Sequence, residues 1–384
     1  KNQMKESNVK PKQKRQIYEA PKVSKDIKDM YKGALLHVHF SGMVRTKKIL
    51  SYVIDNSIPC HYDRNSKKLM YCTKDESNIS QHIDDIRMSI KNCFERMAYE
   101  KRFRIIGNMF FELIKHKDFY PHYMSMIMEE MKEEKIDHVD LRLKIGSMFT
   151  REHLQDSIRF SHPADELDEL VVQQELFKAQ GLSFSIIAQF SKQKPIREAE
   201  DYFLDLIKLM GQHRRYQSLI YGFDLVGNEL SGRPLHYYKP MFRRIDDERR
   251  HYRIPSRIPF VLHAGEHDHK KALGNIQFAI YFAESDRLGH GIYAYQDDKL
   301  AKDILKYNIL LEFCPLSMLI LGNLKDDTLD RFQKNYPFHF CINSDDPNKL
   351  NDLSLTDNFQ YLFNNGYSLD NLRHSVYYAI DGAF

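Results

Sequence analysis

The sequence predicts an α/β chain closed into a (β/α)8 TIM-type barrel with a helical insertion after its first strand. Three observations carry that reading. Eight short β-branched or apolar runs recur along the 384 residues, stretches with apolar residues at helical spacing separate them, and no GxGxxG or GxxxxGK phosphate loop is present. Alternating strand and helix gives a parallel sheet covered by helices, and eight such units close one ring. An open doubly wound sheet is the alternative, and the missing phosphate loop counts against it.

The first run is Ala34–Phe40 (ALLHVHF). A long segment from Thr46 to Asp137 follows, with helical stretches at Ile83–Met97 and Arg102–Lys115, and reads as an insertion between the first two strands. The second to fourth runs are Val139–Lys144, Leu182–Phe190 and Ile220–Val226. Ile258–His263, Arg287–Ile292, Ile309–Phe313 and Phe338–Asn343 complete the set, with amphipathic stretches such as Ile196–Met210 and Lys270–Ala283 between strands. Residues 1–31 read as a basic, solvated extension, and 32–384 as one barrel domain with its insertion at about 46–137.

Composition narrows the functional classes. A hydrophobic fraction of 42% with 29% charged residues excludes wholesale disorder. The balance of 57 Lys and Arg against 53 Asp and Glu, net +4, is too small over this length to argue for nucleic acid. No run reaches the roughly 18 apolar residues of a membrane span. The five cysteines form no CxxC and no disulfide framework, although Cys60 and Cys72 bracket a polar loop and could pair in an exported protein.

In a barrel of this kind, chemistry collects where strands end at the carboxyl side. His37 and His39 lie two apart on the first strand, so both imidazoles point inward while Leu36 and Val38 point to the helices. Two buried imidazoles side by side are costly unless something coordinates or hydrogen-bonds them. His263 on the fifth strand and Asp345 after the eighth converge on the same end. Three neutral imidazoles with one carboxylate suit Zn²⁺ with a position left for water, which makes such a site catalytic. Glu266, three residues past His263, is placed to reach a substrate above the ion, and His290 on the sixth strand to take a proton from the water.

Those residues sit in LLHVHFSG, GFDLVGNE, VLHAGE, RLGHG, CPLS and INSDDP, in that order. Over about Lys32 to Phe384 the chain resembles the adenosine deaminases of the metal-dependent amidohydrolase superfamily, and within them the adenosine deaminase-related growth factor branch. The resemblance implies one Zn²⁺ per chain on His37, His39, His263 and Asp345, with Asp345 also accepting a hydrogen bond from the activated water. It implies Glu266 as the acid at purine N1, His290 as the base, Asp346 at N7 and the Gly227 backbone at N3. The implied reaction is hydrolytic deamination of adenosine or 2′-deoxyadenosine to the inosine product and ammonia. The partner is a small-molecule purine nucleoside or nucleotide, with no nucleic acid or membrane, and a homodimer is implied.

Four departures fall in the sugar-recognition region. Phe40 and Ser41 stand where branches of the family carry Asp, QFSKQ (189–193) replaces a histidine-containing loop, and Met318 replaces Asn after CPLS. Losing a carboxylate there removes a hydrogen-bond acceptor and also removes repulsion against a phosphate. The same chemistry on an adenine nucleotide or a modified adenine nucleoside is therefore the second expectation. A catalytically silent binding or signalling protein of the same fold is the third.

Overall fold

The structure is a computed structural model that describes residues 20–325, 327–335 and 339–383. All eight expected strands form: β1 Gly33–His39, β2 Ile136–Leu143, β3 Ser183–Ser191, β4 Ile220–Val226, β5 Val261–Ala264, β6 Arg287–His290, β7 Leu310–Phe313 and β8 Phe340–Ile342. Every ladder among them is parallel, in two runs, β1-β2-β3-β4 and β5-β6-β7-β8. Two parallel bridges join the runs, Phe223 to Phe260 and Val38 to Asp345. The second is made by Asp345 N donating to His37 O at 3.1 Å and His39 N donating to Asp345 O at 3.3 Å. With it the ring closes.

Strand ends differ from the sequence reading for local reasons. β2 starts earlier because Ile136 pairs with Gly33, although the polar Asp137 and His138 interrupt the apolar run. β5 starts later because Pro259 has no N–H to place in a ladder; its carbonyl alone accepts, from Phe223 N at 3.0 Å. β6 stops at His290 because Gly291, at φ 65°, turns the chain into a 3-10 segment. Phe338, expected in the last strand, lies outside the described residues.

The expected insertion contains a hairpin, Cys60–Asp63 with Lys68–Tyr71, and helices Thr46–Asp55, Ile79–Arg96, Tyr99–Ile114 and Tyr120–Glu134. Their buried faces share one apolar cluster with the barrel, including Ile86, Ile106, Phe110, Tyr123 and Ile127. Residues 1–19 of the expected basic arm lie outside the described residues. Its remainder corrects the solvated reading: Lys25–Asp29 is helical, Ile27 is fully buried, and Ser24 N donates to Gln360 Oε1 at 2.7 Å. Val23, Ile27 and Met30 give that stretch an apolar side that packs on the core. No helix among the described residues is long and apolar enough to cross a membrane.

The barrel interior is not the usual stack of branched apolar layers. Asp140, Arg142, Asp224, Arg287 and Glu312 are all 0–1% exposed and project inward. Arg287 Nη2 donates to Asp140 Oδ2 at 2.6 Å and pairs with Glu312, which also pairs with Arg142. Arg142 Nε reaches Asp224 Oδ2 at 2.8 Å, and its Nη1 reaches Leu36 O at 2.7 Å. Buried charges persist only when paired and hydrogen-bonded, and here each is tied to an opposite charge on another strand, mostly across the barrel interior.

Candidate metal centre

Four imidazoles gather at the carboxyl end of the barrel. Ring centroids of His37 lie 5.7 Å from His39, 4.6 Å from His263 and 4.9 Å from His290, and His263 is 5.3 Å from His290. One nitrogen from each of His37, His39 and His263 falls within 4.8 Å of the others. Asp345 Oδ1 stands 3.5 Å from His39 Nε2 and 3.9 Å from His37 Nε2. Metal–ligand bonds of about 2.0–2.1 Å put tetrahedral ligand atoms roughly 3.3 Å apart, so small rotations bring these onto one ion.

His37, His39 and His263 each have one ring nitrogen engaged. His37 Nδ1 meets Glu312 Oε2 at 2.9 Å, His39 Nδ1 meets Gln189 Oε1 at 2.7 Å, and His263 Nδ1 meets Asp224 Oδ2 at 2.7 Å. Asp345 Oδ2 accepts from Ser317 Oγ at 2.6 Å. These partners fix the tautomer and aim each free nitrogen at the common point. His37 Nε2 and His290 Nδ1 are buried without a hydrogen-bond partner among the described residues. An orphaned buried nitrogen at the centre of three imidazoles is the mark of a cation site.

The electrostatics agree. Burial first, and the positive charges of Arg142 and the other imidazoles second, hold His37 and His290 well below the ordinary histidine value. His39 and His263 are lowered by burial as well, against the pull of Asp346 and Asp224 respectively. All four are thus kept neutral, the form that binds a metal. Burial, then the Asp346 charge, pushes the Asp345 carboxyl up to about 6. That is a carboxylate short of a cation. Asp224 goes the other way: burial opposes its charge, but His263 and Arg142 overcome this and hold it well below the usual range.

The other expected residues surround this point. Glu266 follows β5, with its carboxylate 3.9 Å from His290 Nε2 and 3.6 Å from His267 Nδ1. Burial pushes its carboxyl up to about 7, with the Glu229 charge adding to the rise and His267 opposing it. The turn that carries Glu266 is built by Glu229, which accepts backbone N–H bonds from Gly265, Glu266 and His267 at 3.0, 2.9 and 3.2 Å. Gly227 ends β4 at φ 108°, a conformation that a side chain would strain. Asp346 is 2% exposed and pairs with Lys349 Nζ at 2.9 Å. A Cβ on Gly42 would come within 1.7 Å of Asp346 Oδ1, so glycine is required there.

Sequence reasoning missed the groups behind these. Asp224 and Glu229 lie inside GFDLVGNE, Ser317 inside CPLS and Gln189 inside the QFSKQ departure. Arg142 and Glu312 carried a signal too, as polar residues at inward positions of apolar strands. Phe40 does not face the site at all. It is 1% exposed, stacked on Tyr120 at 5.1 Å, with the Lys115 ammonium 4.2 Å over its ring.

Arg142 spans two of the acceptors, those of His37 and His263, from one buried guanidinium. Replacing it by Met is expected to weaken divalent-metal affinity by about 10–100-fold. It also leaves Glu312 and Asp224 under-neutralised, which costs roughly 3–5 kcal/mol of stability. Metal titration with a chromophoric competitor and urea unfolding check the two effects separately.

Imidazoles and carboxylates converging at the carboxyl end of a closed parallel barrel suit metal-assisted hydrolysis. A family model described as adenosine deaminase matches residues 113–384. The chain is 24% identical over 393 aligned residues to adenosine deaminase 2 of Dictyostelium discoideum, covering 94% of this chain and 70% of that one. In fold it resembles the N6-mAMP deaminase of Arabidopsis at TM-score 0.63 and 16% identity, over 93% of this chain and 94% of that chain. It also resembles an amidohydrolase of Burkhoderia ambifaria with bound Zn, at TM-score 0.57 and 15% identity, over 92% and 85% of the two chains. The chain belongs to the adenosine deaminase family.

Proposed function

We propose that the protein is a zinc-dependent hydrolase that deaminates adenosine and 2′-deoxyadenosine to the corresponding inosine and ammonia. The observation that carries this reading is the pairing of a neutral imidazole cluster with a carboxyl beside it that burial raises to about 7. His37, His39, His263 and Asp345 would hold the ion, a donor set of nitrogen and oxygen that suits zinc. When bound, zinc supplies a water acidic enough to act as a nucleophile near neutrality.

The chain's own groups do the rest. Glu266, protonated through its buried site, donates to purine N1 and so makes C6 electrophilic. His290, held neutral by burial, is a base for the proton of the attacking water. The new C6–O bond forms, the C6–N6 bond breaks once N6 has gained a proton, and ammonia leaves. Gly227 offers bare backbone at the end of β4 for the N3 edge of the ring.

A nucleotide substrate is the second reading, and one observation favours it. Ser41 and the inward-packed Phe40 place no carboxylate after His39, so nothing there repels a 5′-phosphate. The name of the structurally similar Arabidopsis protein, an N6-mAMP deaminase, supports this reading. A panel of adenosine, 2′-deoxyadenosine, AMP, dAMP and methylthioadenosine, followed by ultraviolet change and ammonia release on zinc-replete protein, separates the readings. Fastest turnover of adenosine supports the first, fastest turnover of AMP or dAMP the second, and no turnover of any sinks both.

A further inference from the structure

Glu266 gives its proton away once per turnover, so something must return one. On the deaminase reading above, the proton placed on N1 stays in the 6-oxo product. The first proton of the attacking water goes through His290 to N6 and leaves with ammonia. The second is lost to bulk water from the C6 oxygen as its double bond to carbon forms. Glu266 is left as a carboxylate, and the sum balances when bulk water supplies the missing proton. Unaided, that supply is slow. At a collision limit of about 10⁹–10¹⁰ M⁻¹ s⁻¹, hydronium at pH 8 reaches an open carboxylate roughly 10–100 times per second. Many enzymes turn over as fast or faster, at about 1–10³ per second, and the Glu266 side chain is only 13% exposed.

Two imidazoles stand beside Glu266. His290 Nε2, at 3.9 Å, belongs to a side chain that is 2% exposed and already has its own proton to move. His267 Nδ1, at 3.6 Å, belongs to a side chain that is 12% exposed. The His267 ring is held in place by Asn323, whose Nδ2 donates to Nε2 at 3.3 Å. Asn323 is itself pinned, its N–H on Met318 O at 2.8 Å and its carbonyl under the Tyr293 hydroxyl. With Nε2 as acceptor, the ring hydrogen sits on Nδ1. That nitrogen is buried without a hydrogen-bond partner among the described residues, 3.6 Å from Glu266 Oε2 and 3.6 Å from Glu229 Oε2.

The two carboxylates are unequal. Glu229 already accepts from the Gly265, Glu266 and His267 N–H groups and from Asn275 Nδ2 at 3.0 Å. Burial opposes its charge, but His267, Lys192 and these donors hold it down to about 2. Glu266 is pushed by burial up to about 7. Asp268, next along the chain, is engaged by Gln296 Nε2 at 2.5 Å and by Lys325. A proton on His267 Nδ1 therefore has one basic carboxylate to go to.

We propose that His267 is a proton-relay residue: acting through Glu266 rather than on the substrate, it takes a proton from bulk water at Nε2 and returns one from Nδ1 to the Glu266 carboxylate after each turnover. An imidazole suits the task because its two nitrogens face opposite ways and its charge changes near neutrality. The relay rests on the deaminase reading and adds to it the group that resets the acid.

The test separates the first turnover from later ones. Wild-type, H267N and H267A proteins, zinc-replete and held at pH 6 so that Glu266 carries its proton, are mixed with the fastest purine of the panel into buffer at pH 8. Asn keeps an N–H near the place of Nδ1 but cannot pass a proton, and Ala removes both functions. Both variants should give a burst of about one product per site, then a steady rate at least about tenfold below wild type. Added 1,2-dimethylimidazole, a base too crowded to bind metal well, should speed the slow phase of H267A in proportion to its concentration and leave wild type unmoved. H267N that matches wild type without a burst would mark Nδ1 as a structural donor and overturn the relay. So would first and later turnovers that are slowed equally and that the added base does not speed. Wild type that the base speeds as much as H267A overturns it too, even where H267N fails to fold. Absence of any adenine deamination by wild type removes the underlying reading instead, and is told apart because no variant is involved.

Discussion

Replacing Glu266 by Gln is expected to lower kcat at pH 7 by about 10²–10⁴-fold while leaving metal content unchanged. The side chain keeps its shape and loses the transferable proton. Because the carboxyl is pushed up to about 7 by burial, then by neighbouring charge, it keeps a substantial protonated fraction at neutrality. Wild-type kcat should therefore fall as pH rises beyond 7, and the residual rate of the variant should lack that limb. Stability gives an independent reading of the same group. A carboxyl raised above its ordinary 4.5 contributes stability that is fully present below pH 4.5 and lost as pH rises through about 7. Gln has no such loss. The unfolding free energy of Glu266→Gln relative to wild type should grow between pH 4.5 and 7 and stay level above, as read by urea titrations at pH 5, 6 and 8. A variant as active as wild type at pH 7 would refute the assignment of the acid.

Stripping the divalent ion should be still more damaging. Zinc-type activation is worth several kcal/mol, so chelated protein is expected to lose at least roughly 10³-fold in turnover and to regain it on addition of zinc. Asp345→Asn tests the carboxylate itself. At φ 62° this position is left-handed, where Asn is tolerated better than most residues, so backbone strain is not added. The variant should purify folded but with little bound metal by elemental analysis. At a metal concentration about a thousand times Kd, wild type should also gain about 4 kcal/mol of unfolding free energy that Asp345→Asn does not. Full metal content in Asp345→Asn would remove this residue from the ligand set.

The ring was legible because strand and helix differ in hydrophobic period, and eight alternations leave few other topologies. The centre was legible for a related reason. Histidines at i and i+2 on a strand must share a face, so His37 and His39 announced an inward polar pair before any contact was known. What stands behind them was not legible from spacing. Glu312, Arg142 and Asp224 come from β7, β2 and β4 and meet only through closure of the ring, and local pattern carries no record of that. Phe40 misled in the opposite sense: standing where a branch of the family carries Asp, it reads as part of the sugar-recognition region, whereas its ring packs into the insertion.

The seam of the ring has a consequence for how the protein comes to life. The backbone bonds at one of the barrel's two seams are made at His37, His39 and Asp345, the residues whose side chains gather at its centre. A sheet still open between β1 and β8 has no place for an ion, and an ion gripping those side chains rivets the first strand to the end of the last. On the proposed ligand set, binding the ion would favour closure of this seam, and the cation would serve as the buckle of the belt as well as the tool it carries.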